Sequence, residues 1–133
     1  MNDASLLVIG NLSKEHVGGY FMEAASQSGI RAAGVDATSA YRAPAVIRKI
    51  YWHLLGHRPF RLAAFSREVR EALDVHKPAV LVTTGISPID RQTLDYARKM
   101  GVRTVNFLTD DPWNSAHRTS RFFKSLSIFA IAP

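Results

Sequence analysis

The densest group of side chains able to do chemistry lies between residues 104 and 117. The run Val105–Leu108 is rich in apolar residues, which predicts a buried strand, and Asp110, Asp111, Trp113 and His117 follow it. Ligands of open α/β sheets bind at the carboxyl ends of the strands. A carboxylate there can act as a general base on a hydroxyl, and an indole can stack on a sugar or a base. The two acids are therefore candidate catalytic residues, and the other two are candidate substrate-binding residues.

The tandem acids are poorly arranged for a metal. Neighbouring side chains on extended backbone point to opposite sides, so Asp110 and Asp111 do not form a natural chelating pair. No two histidines have the spacing of a zinc site on one helix. We therefore expect no metal and no other cofactor. A purely structural alternative stays open, in which Asp111 and Pro112 form a turn and both acids are solvated or cap the next helix.

Two further turns follow predicted strands and could meet the acids. Ser5–Gly10 is a short apolar run typical of a parallel strand, and a polar loop, Asn11–Gly19, comes after it. Ala79–Thr83 is predicted as the third strand along the chain, also buried, and it leads into Thr84–Pro88, where small residues leave backbone amides free to face a ligand. These loops supply six further candidate substrate-binding residues: Asn11, His16, Gly18, Gly19, Gly85 and Ser87.

Strands and helices alternate along the rest of the chain. Helical spacing predicts Tyr20–Ser28, two basic helices within residues 41–75, Asp90–Met100 and a short helix near Arg118–Lys124; further strands are predicted at Ile30–Val35 and Ile128–Ile131. Alternation of this kind implies parallel pairing with right-handed crossovers. We expect a single domain over residues 1–133. Its predicted fold is a Rossmann-like three-layer α/β/α arrangement with a five-stranded parallel sheet of order 2-1-3-4-5 and a helical excursion between strands two and three.

The dinucleotide fingerprint is missing from this arrangement. Gly10, Gly18 and Gly19 do not have the spacings that let backbone approach a pyrophosphate at the start of a helix. Ser87 is not in the Gly-x-Ser-x-Gly turn of serine hydrolases. The three loops near residues 11, 85 and 110 are instead expected to share one rim around a small pocket.

Composition narrows the class of protein. The chain has 133 residues, 47% of them hydrophobic, and no cysteine, which excludes disulfides and thiol catalysis. Neither a signal peptide nor a membrane span is visible, so we expect a cytoplasmic protein. The net charge is +6. The segment from Arg42 to Arg70 contains seven basic residues and a single acid, Glu68. That segment is either a solvated face or a surface for an anionic membrane or a phosphate-bearing acceptor; no nucleic-acid-binding motif accompanies it.

Several of these segments together resemble a known family. The runs Ala79–Gly85, Thr104–Trp113 with its Asp-Asp-Pro-Trp motif, Phe123–Ser127 and Ile128–Pro133 resemble the amino-terminal lobe of spore-maturation-type (CgeB-like) glycosyltransferases of the GT-B fold. The similarity covers residues 76–133 well and the first strand loosely. The basic helical segment carries no family signal.

The resemblance implies an enzyme of two lobes that moves a sugar from a nucleotide-sugar donor to an acceptor hydroxyl. The amino-terminal lobe would bind the sugar acceptor, and no metal is obligatory. The role of Asp110 or Asp111 as base is carried over by motif position. The donor lobe has no counterpart in these 133 residues, so we expect a lobe of something larger that does not turn over alone. The alternative is a non-enzymatic Rossmann-type module for a small ligand or a nucleotide.

Overall fold

The computed structural model describes residues 5–54, 60–85 and 87–108. Four strands lie within these residues, β1 (Ser5–Gly10), β2 (Arg31–Asp36), β3 (Val80–Thr84) and β4 (Arg103–Phe107). The helices described are α1 (Val17–Gln27), α2 (Ala45–Leu54), α3 (Leu62–His76) and α4 (Arg91–Lys99), with a 3₁₀ helix at Ala37–Tyr41.

The four strands form one parallel sheet in the order β2-β1-β3-β4. This confirms the α/β class and the predicted order of the first four strands. It also confirms that a helical excursion, made of the 3₁₀ helix, α2 and α3, separates the second strand from the third. The predicted fifth strand at Ile128–Ile131 and the helix near Arg118–Lys124 lie outside the described residues.

Helices cover both faces of the sheet. On one face α3 and α4 enclose the main core, in which Phe65, Val69 and Leu73 from α3 meet Leu7 and Leu81 from the two central strands. Burying each such side chain stabilises the fold by roughly 1.5–3 kcal/mol. The helix α1 lies on the other face. A Cβ added to Gly34 of β2 would lie 3.4 Å from the Met22 sulfur of α1.

The start of α1 differs from the prediction. The loop was predicted to continue to Gly19, but the helix begins at Val17 and includes Gly18 and Gly19 in its first turn. A Cβ at either glycine would lie closer than 3 Å to a carbonyl oxygen, that of Asn11 or that of Ser13. The two glycines therefore let the first turn of the helix lie directly on the backbone of the preceding loop. Gly29, with a φ of 66°, follows the end of the helix, where a glycine was predicted to stop it.

The two helices of the basic segment use their apolar residues differently. The apolar stripe of α3 is buried in the core, as its 3.6-residue spacing predicts. On α2, Val46 (70%), Ile50 (45%) and Leu54 (77%) are exposed, and Ile47 and Tyr51 are half-buried. None of the α2 side chains whose exposure the structure describes is buried.

Candidate functional site

A cleft opens at the carboxyl edge of the sheet, where β1, β2 and β3 end. Its volume is about 250 Å³. Its walls come from the loop and helix after β1, the 3₁₀ helix after β2 and the turn after β3. The lining residues are Gly10, Asn11, His16, Val17, Gly18, Ala37, Thr38, Tyr41, Thr84, Gly85 and Ser87.

The first wall, formed by the end of β1 and the loop after it, requires a glycine where its backbone packs closely against β3. A Cβ at Gly10 would lie closer than 3 Å to the Thr84 hydroxyl oxygen, so a larger residue there would displace that threonine. In the loop that follows, the Ser13 amide donates to Asn11 Oδ1 at 3.1 Å. The loop then delivers the first turn of α1 to the cleft. An α-helix leaves the amides of its first turn without intrahelical acceptors, and the His16 side chain does not cap them.

The second wall is the 3₁₀ helix, which the acid at the end of β2 holds in place. Asp36 Oδ1 accepts from the Thr38 amide at 2.9 Å and from the Thr38 hydroxyl at 2.7 Å. The Ser39 hydroxyl donates to the Asp36 carbonyl at 3.0 Å. These bonds make Asp36 a capping residue, and they fix the positions of Thr38 and Tyr41 at the cleft.

The turn after β3 forms the third wall, and here one expectation is wrong. The predicted free amide at Gly85 is bonded, because it donates to the Phe107 carbonyl at 2.8 Å. The buried Ser87 hydroxyl lies 3.1 Å from the Ile9 carbonyl oxygen and 2.9 Å from that of Thr84. Gly85 and Ser87 therefore shape the cleft and join the ends of β1, β3 and β4, and their polar groups serve the fold.

Some polar groups of the cleft remain available to a ligand. Within the described residues, the hydroxyls of Thr84 and Tyr41 make no hydrogen bond. Burial raises the pKa of the Tyr41 phenol above its usual value, which keeps that hydroxyl protonated and able to donate. None of the described residues that line the cleft is acidic, and the exposed His16 lies beside the amino terminus of α1. This arrangement favours a neutral polyhydroxyl group or an anion over a cation.

The structure brings together most of the predicted site residues that it describes. Asn11, His16 and Gly18 line the cleft from one side and Gly85 and Ser87 from another, whereas Gly19 lies next to the lining. The remaining candidates, Asp110, Asp111, Trp113 and His117, lie outside the described residues.

Six lining residues were not among the predicted site residues, and three of these carry a polar side chain: Thr38, Tyr41 and Thr84. Each comes within a few residues of the carboxyl end of β2 or β3. Their position just after a parallel strand was the usable signal. Tyr41 was instead assigned to the start of the basic helical segment.

Two kinds of feature are absent from the described residues, a metal-binding cluster and a membrane-spanning helix. These residues contain no group of three or more histidine, cysteine or acidic side chains placed to hold a metal ion. None of their helices is both long and apolar enough to cross a bilayer.

Comparisons with protein-family models, with curated proteins and with solved structures found no match to this chain.

Proposed function

We propose that this chain is the acceptor-binding lobe of a glycosyltransferase that moves a sugar from a nucleotide-sugar donor to an acceptor hydroxyl. The observation that carries the proposal is the cleft at the carboxyl edge of the parallel sheet, in which two lining hydroxyls have no hydrogen-bond partner among the described residues. The resemblance of the Asp-Asp-Pro-Trp segment supplies the reaction class.

A sugar fits the chemistry of the cleft. Each sugar hydroxyl both donates and accepts hydrogen bonds, as do the hydroxyls of Thr84 and Tyr41, which have no partner among the described residues. The amides at the start of α1 add donors on the opposite wall. At about 250 Å³, the cleft lies just below the roughly 300–1,000 Å³ of sites that hold drug-sized ligands, so it suits a single ring better than a dinucleotide.

The catalytic part of the proposal rests on residues after β4. Asp110 or Asp111 deprotonates or orients the acceptor hydroxyl, and Trp113 and His117 contact the substrate. The strand at Ile128–Ile131 pairs beside β4, whose outer edge is unpaired within the described residues, to complete the order 2-1-3-4-5. The nucleotide-sugar donor binds to a second lobe that these 133 residues do not supply.

Binding to the isolated chain tests the assignment of the cleft. Calorimetric or NMR titration with a panel of monosaccharides and with a uridine nucleotide should show binding of at least one sugar and none of the nucleotide. Thr84→Val should weaken sugar binding by several-fold, because one hydrogen bond contributes roughly 0.5–1.5 kcal/mol. Thr104→Val, the same change on β4 away from the cleft, is the control. Tight nucleotide binding without sugar binding would reject the acceptor role.

A second experiment tests the base. Asp110→Asn and Asp111→Asn are compared with the unmodified protein in the two-lobed enzyme that the proposal requires, with sugar transfer as the readout. At least one variant should lose most of its rate, because general-base catalysis contributes on the order of 10²–10⁴-fold. Full rates in both variants would remove the acids from the mechanism.

One observation favours a second candidate, a non-enzymatic module for a phosphate-bearing ligand. The uncapped amino terminus of α1, with two glycines in its first turn and His16 beside it, has the features of an anion-binding helix start. Inorganic phosphate and a nucleoside monophosphate would then bind the isolated chain and compete with each other. Absence of binding by either phosphate compound would rule out this candidate.

A further inference from the structure

The helix α2 carries an apolar surface that is not part of the core formed by the described residues. Val46, Ile50 and Leu54 repeat at intervals of four residues, so they share one side of the helix, and they are 70%, 45% and 77% exposed. Phe60, which is 42% exposed, meets the Tyr51 ring edge-on with centroids 5.3 Å apart. We call Val46, Ile50, Leu54 and Phe60 the α2 patch.

The segment that carries this patch is rich in positive charge. Residues 37–67 contain six lysine and arginine side chains and no acid, a charge equal to the +6 of the whole chain. Five of the six lie in the described residues, and all five are exposed: Arg42, Arg48, Lys49, Arg61 and Arg67. On the helix, Lys49 is about 100° from Ile50, so its long side chain can place its charge beside the apolar stripe.

We propose that the α2 patch docks this protein on the surface of a membrane that contains anionic phospholipid. An amphipathic helix with an apolar stripe and basic flanks lies in the plane of the bilayer interface, with the stripe among the acyl chains and the cations among the headgroups. The ten residues of α2 span about 15 Å, too short to cross a bilayer and sufficient to lie on it.

Charge and polarity favour an anionic bilayer over two other partners, a second copy of the chain and nucleic acid. A second copy of the chain would bring two clusters of five exposed cations together with no acid between residues 37 and 67 to offset them. Nucleic acid would satisfy the cations but would leave three exposed aliphatic side chains without an apolar partner. An anionic bilayer meets both requirements at once, since headgroups attract each nearby lysine or arginine and acyl chains receive the stripe.

Co-sedimentation of the full chain with vesicles tests the proposal. Vesicles of phosphatidylcholine with about 30% phosphatidylserine supply the negative surface, and vesicles of phosphatidylcholine alone supply the neutral one. We expect the partition coefficient to be at least about tenfold higher on the anionic vesicles and to fall as salt is raised.

Two double variants, each with a matched control, separate the apolar contribution to vesicle binding from the electrostatic one. Ile50→Ser with Leu54→Ser should reduce anionic-vesicle binding by about tenfold or more, whereas Val75→Ser with Met100→Ser, at exposed positions elsewhere, should not. Arg48→Glu with Lys49→Glu should reduce it to a similar extent, whereas Lys99→Glu with Arg103→Glu, at the far end of α4 and on β4, should not. Far-UV circular dichroism of each variant establishes that it is folded.

Three results would overturn the proposal. The first is the absence of binding to anionic vesicles. The second is a loss of vesicle binding in each control pair equal to that in the matching α2 pair. Binding would then depend on the net charge or the total apolar surface of the protein and not on the α2 patch. The third is a dimer in sedimentation velocity that Ile50→Ser with Leu54→Ser dissociates, without any effect of that variant on vesicle binding.

Discussion

At the residue scale, the polar groups of the cleft are of two kinds: some are bonded within the fold, and others are available to bind a ligand. The Ser87 hydroxyl and the Gly85 amide both bond to backbone carbonyls at strand ends. The hydroxyls of Thr84 and Tyr41 have no partner among the described residues. A residue that lines a pocket is therefore not always a residue that binds, and the sequence pattern at Thr84–Pro88 could not tell the two apart.

Gly18 gives a sharp test of close backbone packing. Alanine is the better helix former by roughly 1 kcal/mol, so Gly18→Ala would stabilise a helix that had room for it. Here the added Cβ would lie closer than 3 Å to the Asn11 carbonyl oxygen, and backbone cannot move aside cheaply. We expect a net destabilisation of about 1–3 kcal/mol in urea unfolding.

The control for this variant is Ser26→Ala, an exposed position in the same helix, which should be neutral or slightly stabilising. Stabilisation by Gly18→Ala of the size that helix propensity alone gives would show that the first turn of α1 does not rest on residues 11–13.

Tyr41 should make stability fall at alkaline pH. Burial raises the pKa of its phenol in the folded state, while the unfolded chain ionises near pH 10. The resulting stability is complete below pH 10 and is lost as the pH rises through the folded-state pKa, because only the unfolded state releases the proton readily. Tyr41→Phe should therefore reduce the loss of unfolding free energy above about pH 10.

The measurement for Tyr41 is urea unfolding at a series of pH values, with Tyr20→Phe as the control on the exposed side of α1. The same alkaline slope in Tyr41→Phe and in the unmodified protein would contradict the partial burial of this ring against the core.

At the element scale, periodicity predicted well what depends on local pattern. Continuous apolar runs identified β1 and β3, and alternation with helices identified the order of four strands. The start of α1 was missed because its two glycines are needed for close packing against carbonyl groups of the preceding loop. Rules based on residue spacing do not reveal a contact of this kind. In α2 the pattern revealed an apolar side but not what would cover it.

Two aspartates each cap a helix, and they can be compared directly because one of the helices lines the cleft and the other does not. Asp36 caps the 3₁₀ helix through Thr38, and Asp90 caps α4 by accepting from the Thr93 amide at 2.8 Å. Replacing either by alanine should cost about 0.5–2 kcal/mol of unfolding free energy. Only Asp36→Ala should also weaken binding of a ligand in the cleft, because Thr38 and Tyr41 belong to the element that it caps.

Thermal unfolding and ligand titration of both variants check this prediction. Equal binding by the two would mean that the cleft keeps its shape without the cap. A larger loss of binding in Asp90→Ala would place the ligand nearer to α4 than to the 3₁₀ helix.

At the scale of the whole molecule, the two helices of the basic segment should differ most in stability. The fifteen-residue α3 buries Phe65, Val69 and Leu73 against the sheet. The ten-residue α2 buries no described side chain, and isolated helices shorter than roughly 12–15 residues are marginal in water. Opening of α2 therefore exposes little apolar surface that is not already exposed.

Native-state hydrogen exchange should show this difference directly. Amides of β1, whose Leu7, Val8 and Ile9 are fully buried between two neighbouring strands, should exchange only through global unfolding. Amides of α2 should exchange several orders of magnitude faster, because local opening costs little. Protection of α2 equal to that of α3, in the absence of any vesicle, would mean that another part of the protein covers its apolar stripe. The stripe would then belong to the core, and it would no longer be free to meet a bilayer.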